Sequence, residues 1–259
     1  MTTALITGAA SGIGKTFACQ LAAQNFDLVL VDRDTSSLDK IAQTLRETTS
    51  VSVETMAIDL TAPDPGDRVF DFTQKKEIAI DWLVNNAGLG DYGDFASSDR
   101  HRQLEILQVN ILALVDLTHR FLTPMLKQRS GVIINLGSIA SFQPMSYWAT
   151  YAASKAFVLS FSEALRAEVR DRGVKVLALC PGPTKTPFFD RAHFPDNTRP
   201  MGLPLADPET IVCQAIAAVE ADKQTIVAGN PLLNFVANAP RFIPREWVVE
   251  LIERQFRDV

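Results

Sequence analysis

Thr7-Gly8-Ala9-Ala10-Ser11-Gly12-Ile13-Gly14 is the stretch from which the fold follows. An apolar run, Ala4-Leu5-Ile6-Thr7, precedes it and reads as a buried strand; a helical pattern from Lys15 to Ala23 comes after. Three glycines at such a junction allow a tight turn, close approach of backbone to a pyrophosphate, and close packing of helix on sheet. The helix that starts there points its free amides and the positive end of its dipole at the same spot. A glycine turn alone carries little. Between a first strand and a first helix it reads as a dinucleotide-binding turn, with Gly8, Ser11, Gly12, Ile13 and Gly14 as candidate cofactor residues.

Outward from this turn, short β-branched runs alternate with longer helical patterns. Leu28 to Val31, Val51 to Ile58, Trp82 to Val84, Val132 to Leu136, Val174 to Leu179 and Thr225 to Ala228 read as six further strands. Helices are expected over Leu38 to Leu45, Arg100 to Gln128, Ala149 to Asp171 and Pro208 to Glu220. Continuous apolar strands separated by helices imply a mostly parallel sheet covered on both faces. The expected fold is α/β: one doubly wound Rossmann-type domain over residues 1–259 with a seven-stranded sheet. Two segments break the rhythm. Residues 187–208 are irregular and read as a substrate lid; residues 231–259 carry Phe235, Phe242, Trp247 and Phe256 between prolines and read as a tail packed on the core, with membrane or partner contact as the alternative.

Bulk properties exclude several classes. A chain of 259 residues, 47% hydrophobic and 21% charged, is an ordinary globular composition. The net charge of −5, without a basic block, argues against nucleic acid as a partner. Cys19, Cys180 and Cys213 lie in separate apolar runs and read as buried, reduced thiols. His101, His119 and His193 are scattered, and no metal-ligating spacing occurs, so no metal is expected. The first strand begins within three residues of Met1, no apolar run approaches a membrane span of roughly 18 residues, and a cytoplasmic location is expected.

Asp32 ends the second strand, eighteen positions beyond Gly14, where a carboxylate can accept bonds from both hydroxyls of an adenosine ribose. It would repel a 2′-phosphate and so favours NAD; the neighbouring Arg33 can bind that phosphate and leaves NADP open. Farther on, Tyr151 and Lys155 stand four positions apart on one helix face, so the ammonium can lower the phenol's pKa. Bringing a tyrosine from about 10 to about 7 takes roughly 4 kcal/mol of preferential phenolate stabilisation. One close cation moves a pKa by about 1 to 3 units. Lys155 together with a positively charged oxidised nicotinamide suffices.

Taken together, Thr7-Gly-x-x-x-Gly-x-Gly14, Asn85-Asn86-Ala87-Gly88 and Tyr151-x-x-x-Lys155 resemble the short-chain dehydrogenase/reductase family along essentially the whole chain. Ala178-Leu179-Cys180-Pro181-Gly182-Pro183-Thr184 and Pro244-Arg245 look most like its DltE-type branch, which more often carries a neutral residue before the arginine where this chain has Asp32-Arg33. The resemblance implies a catalytic tetrad of Asn110, Ser138, Tyr151 and Lys155. Ser138 would hold the substrate oxygen, Tyr151 would exchange the proton, and Lys155 would also bond the nicotinamide ribose. Asn110 would sit in a local break of its helix. It further implies that Asp59 and Leu60 meet the adenine, that Asn86 braces the sheet while Ala87 and Gly88 approach the cofactor, and that Pro181, Gly182, Thr184 and Thr186 clamp the nicotinamide carboxamide.

The expected function is an oxidoreductase exchanging a hydride between a nicotinamide cofactor and a secondary alcohol or carbonyl compound. Alternatives are a catalytically silent dinucleotide-binding regulator and a sugar-nucleotide epimerase. Phe142, Trp148, Phe188 and Phe189 can offer an apolar substrate pocket, with Tyr147 nearby; Arg191, Asp196 and Arg199 can instead orient a polar substrate. Self-association as a homodimer or homotetramer through the long helices is expected from the resemblance.

Overall fold

The computed structural model describes residues 2–195 and 204–257. Seven strands form one sheet: β1 (Thr3–Thr7), β2 (Asp27–Asp32), β3 (Val53–Ala57), β4 (Trp82–Asn85), β5 (Gly131–Leu136), β6 (Val174–Pro181) and β7 (Thr225–Ala228). Their order is β3-β2-β1-β4-β5-β6-β7, and every pairing is parallel. The order reverses between β1 and β4. In such sheets the crevice at the carboxyl ends of the strands, at that reversal, is where ligands bind.

Ten α-helices are described: α1 (Gly12–Ala23), α2 (Thr35–Thr48), α3 (Pro65–Lys75), α4 (Arg100–Leu107), α5 (Leu114–Gln128), α6 (Ala149–Val169), α7 (Phe188–Arg191), α8 (Pro208–Glu220), α9 (Leu232–Asn238) and α10 (Arg245–Arg257). They cover both sheet faces and give two main cores. Phe17, Leu21, Leu38 and Ile211 pack on one face; Leu117, Phe121, Met125 and Val169 pack on the other. Strands buried from both sides carry no alternation, which is why they read as uninterrupted apolar runs. A polar chain crosses the core: Asn85 Nδ2 donates to Thr118 Oγ1 and Asn135 Oδ1, both at 2.9 Å, and Asn135 Nδ2 donates to Ser162 Oγ at 3.0 Å, while Asn85 Oδ1 is buried without a partner.

Several expectations are corrected. The single helix over 100–128 is interrupted by a π-helical stretch, Gln108–Ala113. Only Cys180 is a buried thiol; Cys19 and Cys213 are exposed, because the apolar residues around them belong to the inward faces of α1 and α8 while the thiols point outward. The tail packs through Leu233 and Ala237 of α9 and through one stripe of α10, Val248, Ile252 and Phe256. Phe235, Phe242 and Trp247 remain exposed. Residues 196–203 of the expected lid, with Asp196 and Arg199, lie outside the described residues. No helix among those described is long and apolar enough to cross a membrane.

Candidate active site

A cleft runs across the carboxyl ends of the strands, from the glycine turn to an aromatic chamber under α7 and α10. At the turn, Gly8 and Gly12 take positive φ values of 66° and 53°. A Cβ on Gly14 would stand 2.2 Å from Gly8 O, so a side chain there would pry α1 off the turn. Ser11 caps α1 without a side-chain bond to the helix, and its first turn holds no acid. The amides at this end are therefore left for an anion, which fits the phosphates of a dinucleotide.

The turn is braced from β4. Asn86 Nδ2 donates to Thr7 O at 2.8 Å and to Gly8 O at 3.1 Å, while Thr7 Oγ1 accepts from the amides of Asn86 and Ala87, each at 3.0 Å. Asp32 uses both carboxylate oxygens on backbone: Oδ2 accepts from Ala10 N at 2.9 Å and Oδ1 from Asp34 N at 3.0 Å. Gly8, Ser11, Gly12, Ile13, Asp32, Arg33, Leu60, Asn86, Ala87, Gly88, Pro181, Gly182, Thr184 and Thr186 all line the cleft. Gly14 lies behind it. Asp59 does not line it either; its Oδ1 accepts from Thr61 N and Thr61 Oγ1, both at 2.9 Å, in a turn after β3 where Ile58 and Leu60 face the cleft instead.

Ser138, Tyr151 and Lys155 meet at the centre of the cleft. Ser138 follows β5 and opens a short 3₁₀ helix, Ile139–Phe142, where its Oγ accepts from Ala140 N at 3.1 Å. Tyr151 and Lys155 stand on the first turns of α6. Lys155 is buried; its Nζ donates to Leu136 O at 2.7 Å and stands 5.8 Å from the Tyr151 ring centroid. Asn110, within the π-stretch, lies just outside the lining. Its Oδ1 accepts from Leu89 N at 2.8 Å, and its Nδ2 donates to Leu89 O and to Ser154 Oγ, both at 2.9 Å. Ser154 Oγ in turn donates to Tyr151 O at 2.6 Å. Asn110 thus ties the loop after β4 to α6.

The electrostatics differ from the expectation that Lys155 lowers the Tyr151 pKa. Burial dominates: it pushes the phenol up to about 12, against a downward pull from the Ser138 hydroxyl and a small upward one from Cys180. By surface area Tyr151 is only partly buried, but protein crowds its hydroxyl, and the crowding sets the desolvation. Burial also lowers Lys155 to about 8. Cys180 is pushed up to about 12, chiefly by burial, and is a neutral thiol. With burial dominant, the phenol keeps its proton through the neutral range.

Beyond the Ser138 side the chamber is aromatic. Trp148 stacks on Phe188 with centroids 6.3 Å apart and packs against Tyr151 at 5.2 Å. Phe189, Phe194 and Phe256 complete the lining, and Tyr92 Oη donates to Phe256 O at 2.7 Å, fixing α10 as a wall. Phe142 packs elsewhere, against Ile139, Leu233 and Cys180. Tyr147 packs on Tyr92 outside the lining, and His193 pairs at the surface with Asp91 at 2.9 Å. Sequence reasoning missed Phe194 and Phe256. The second lies far along the chain on a helix whose apolar stripe gave no hint of its target.

The family model described as short chain dehydrogenase matches residues 2–194. The chain belongs to the short-chain dehydrogenase family. This short-chain dehydrogenase is 36% identical over 188 residues to the mouse (Mus musculus) 17-beta-hydroxysteroid dehydrogenase type 3, covering 71% of this chain. It spans 61% of that relative's own length. Among solved structures it is similar to a short-chain dehydrogenase from Sphingobium yanoikuyae in complex with NADPH, with a TM-score of 0.82, 32% identity, and coverage of 88% of this chain and 87% of that one. It is also similar to the bulky-bulky ketone specific alcohol dehydrogenase from Comamonas testosteroni, with a TM-score of 0.80, 29% identity, and 93% of each chain covered. These relatives do not set the DltE-type branch apart.

Proposed function

We propose that the protein reduces a bulky, largely apolar ketone, or oxidises the matching secondary alcohol, with a nicotinamide dinucleotide held at the glycine turn. The observation that carries this reading is the meeting of Ser138, Tyr151 and Lys155 between a phosphate-binding turn and an aromatic chamber. A nicotinamide dinucleotide, when bound, supplies or accepts the hydride. The chain's own residues handle the oxygen and the proton. The Ser138 hydroxyl holds the substrate oxygen. Tyr151, protonated at neutral pH, donates to that oxygen during reduction. Lys155 lends positive charge as the phenolate forms, and Asn110 fixes the start of α6, on which both stand, through Ser154. Trp148, Phe188 and Phe256 exclude water and give bulky apolar substituents a surface to fill.

The similarity to a hydroxysteroid dehydrogenase and to a bulky-ketone alcohol dehydrogenase supports the same substrate class. Asp32 favours NAD, since its carboxylate repels a 2′-phosphate; Arg33 beside it favours NADP, and the Sphingobium relative was solved with NADPH. We assign NAD on Asp32. A panel of ketones and alcohols graded by bulk, followed by the absorbance of reduced nicotinamide with each cofactor, tests both statements. Efficiency rising with substituent bulk supports the chamber's role. Turnover confined to small polar carbonyls refutes it, and much higher efficiency with NADPH refutes the NAD assignment.

A further inference from the structure

Arg191 ends α7, the short helix whose Phe188 and Phe189 line the aromatic chamber. Its guanidinium nevertheless reaches the glycine turn, where Nη1 donates to Ser11 Oγ at 3.1 Å. The Arg191 carbonyl accepts from Arg102 Nη2 at 3.2 Å, and the same Nη2 donates to Gly90 O at 3.1 Å, so the end of α7 is anchored to the loop after β4. Arg191, Ser11, Gly12, Asp32 and Arg33 border one end of the same cleft. A second cation therefore stands where the sequence alone offers only Arg33, since the glycine turn itself holds no basic residue.

The ion-paired arginines among the described residues are others, Arg102, Arg120, Arg166, Arg170 and Arg257. The carboxyl that feels Arg191 is that of Asp34, held below the usual carboxylate range first by the amide and hydroxyl of Ser37 and only weakly by the guanidinium. A neutral hydroxyl is a modest partner for a planar group with five donors. The uncapped start of α1, next to Ser11, adds positive potential at the same place. Both features call for an anion with several acceptor oxygens.

We infer that Arg191 is a cofactor-binding residue, its guanidinium binding a phosphoryl group of the dinucleotide at the glycine turn and thereby holding α7 over the substrate chamber. The inference rests on the dinucleotide reading given above. The phosphoryl group has two sources, the pyrophosphate common to NADH and NADPH or the ribose 2′-phosphate of NADPH alone. In either case the cofactor holds the helix that carries Phe188 and Phe189.

Fluorescence titration of wild type, Arg191→Met and Arg191→Lys with NADH and with NADPH tests this without any substrate. Loss of a charge-assisted hydrogen bond to phosphate corresponds to about tenfold weaker binding in Arg191→Met, with part of the affinity restored in Arg191→Lys. An equal loss for both dinucleotides identifies the pyrophosphate; a loss for NADPH alone identifies the 2′-phosphate. Unchanged affinity for both in Arg191→Met overturns the inference, as does an identical loss in the Met and Lys forms. If the wild type binds neither dinucleotide, the dinucleotide reading itself falls, an outcome read before any variant is compared.

Discussion

Lys155 is a cation kept in a place that disfavours cations. Its burial lowers the pKa to about 8, while burial raises Tyr151 to about 12. Reduction of a carbonyl needs Tyr151 protonated and Lys155 charged. The first condition holds throughout the neutral range; the second fails as pH rises through about 8. We expect kcat/KM for reduction to be level from about pH 6 to 7 and to fall above about pH 8, with Lys155 and not Tyr151 setting the limb. A profile that rises between pH 7 and 9 contradicts that assignment. For Ser138→Ala we expect kcat/KM to drop by roughly 10²-fold, within the range of groups that hold the reacting oxygen, with dinucleotide affinity unchanged in fluorescence titration. At this scale Tyr151 and Lys155 stood out by their spacing on one helix face, while Ser138 came only from the family resemblance. The sequence did not reveal that burial outweighs the lysine's charge, because desolvation depends on neighbours from β5 and β6 brought together only by folding. Asp59, for which a turn role was the alternative to adenine contact, turns back onto Thr61.

The elements that position these residues were legible where one physical cause dominates. The central strands read as apolar runs because helices cover both faces of a parallel sheet, whereas the edge strand β3, with Glu54 and Thr55, is only half-buried. The helix α3, Pro65–Lys75, was not expected; Val69, Phe70, Phe72 and Thr73 pack it on the core. The π-stretch Gln108–Ala113 has no composition of its own; the resemblance alone pointed to a break there. The glycine turn permits a sharp test of its packing. In Gly14→Ala the added Cβ meets Gly8 O and Asn86 Nδ2 at 2.2 and 2.4 Å, and the turn must shift. Overpacking of this kind costs about 1–3 kcal/mol. Thermal melting should fall by several degrees, and dinucleotide affinity should fall with it; an unchanged melting temperature with full affinity contradicts the close approach of α1 to the turn.

For the whole molecule, the long-helix face carries Leu104, Leu112 and Phe157 toward solvent, Leu112 at 63% exposure, with Phe157 stacked on Phe161. Covering this face with a second copy removes apolar surface that an isolated chain leaves wet. Light scattering should give at least a dimer, and Leu112→Glu combined with Phe157→Glu should give a monomer. A wild type already monomeric at micromolar concentration contradicts the assignment. At the same scale, α10 brings Phe256 to the chamber wall, so the chamber's shape is set by segments more than a hundred positions apart, Trp148 and Phe256 among them. That is why Trp148, Phe188 and Phe189 were legible as chamber residues from the local sequence and Phe256 was not. In the proposed reaction Tyr151 passes the proton for a nicotinamide-dependent carbonyl reduction. The most direct measurement compares wild type and Tyr151→Phe in the oxidation of reduced nicotinamide by a bulky apolar ketone, with dinucleotide affinity measured alongside. We expect kcat to fall by about 10²- to 10⁴-fold at unchanged dinucleotide affinity; a Tyr151→Phe variant that turns the ketone over as fast as wild type contradicts the role of Tyr151.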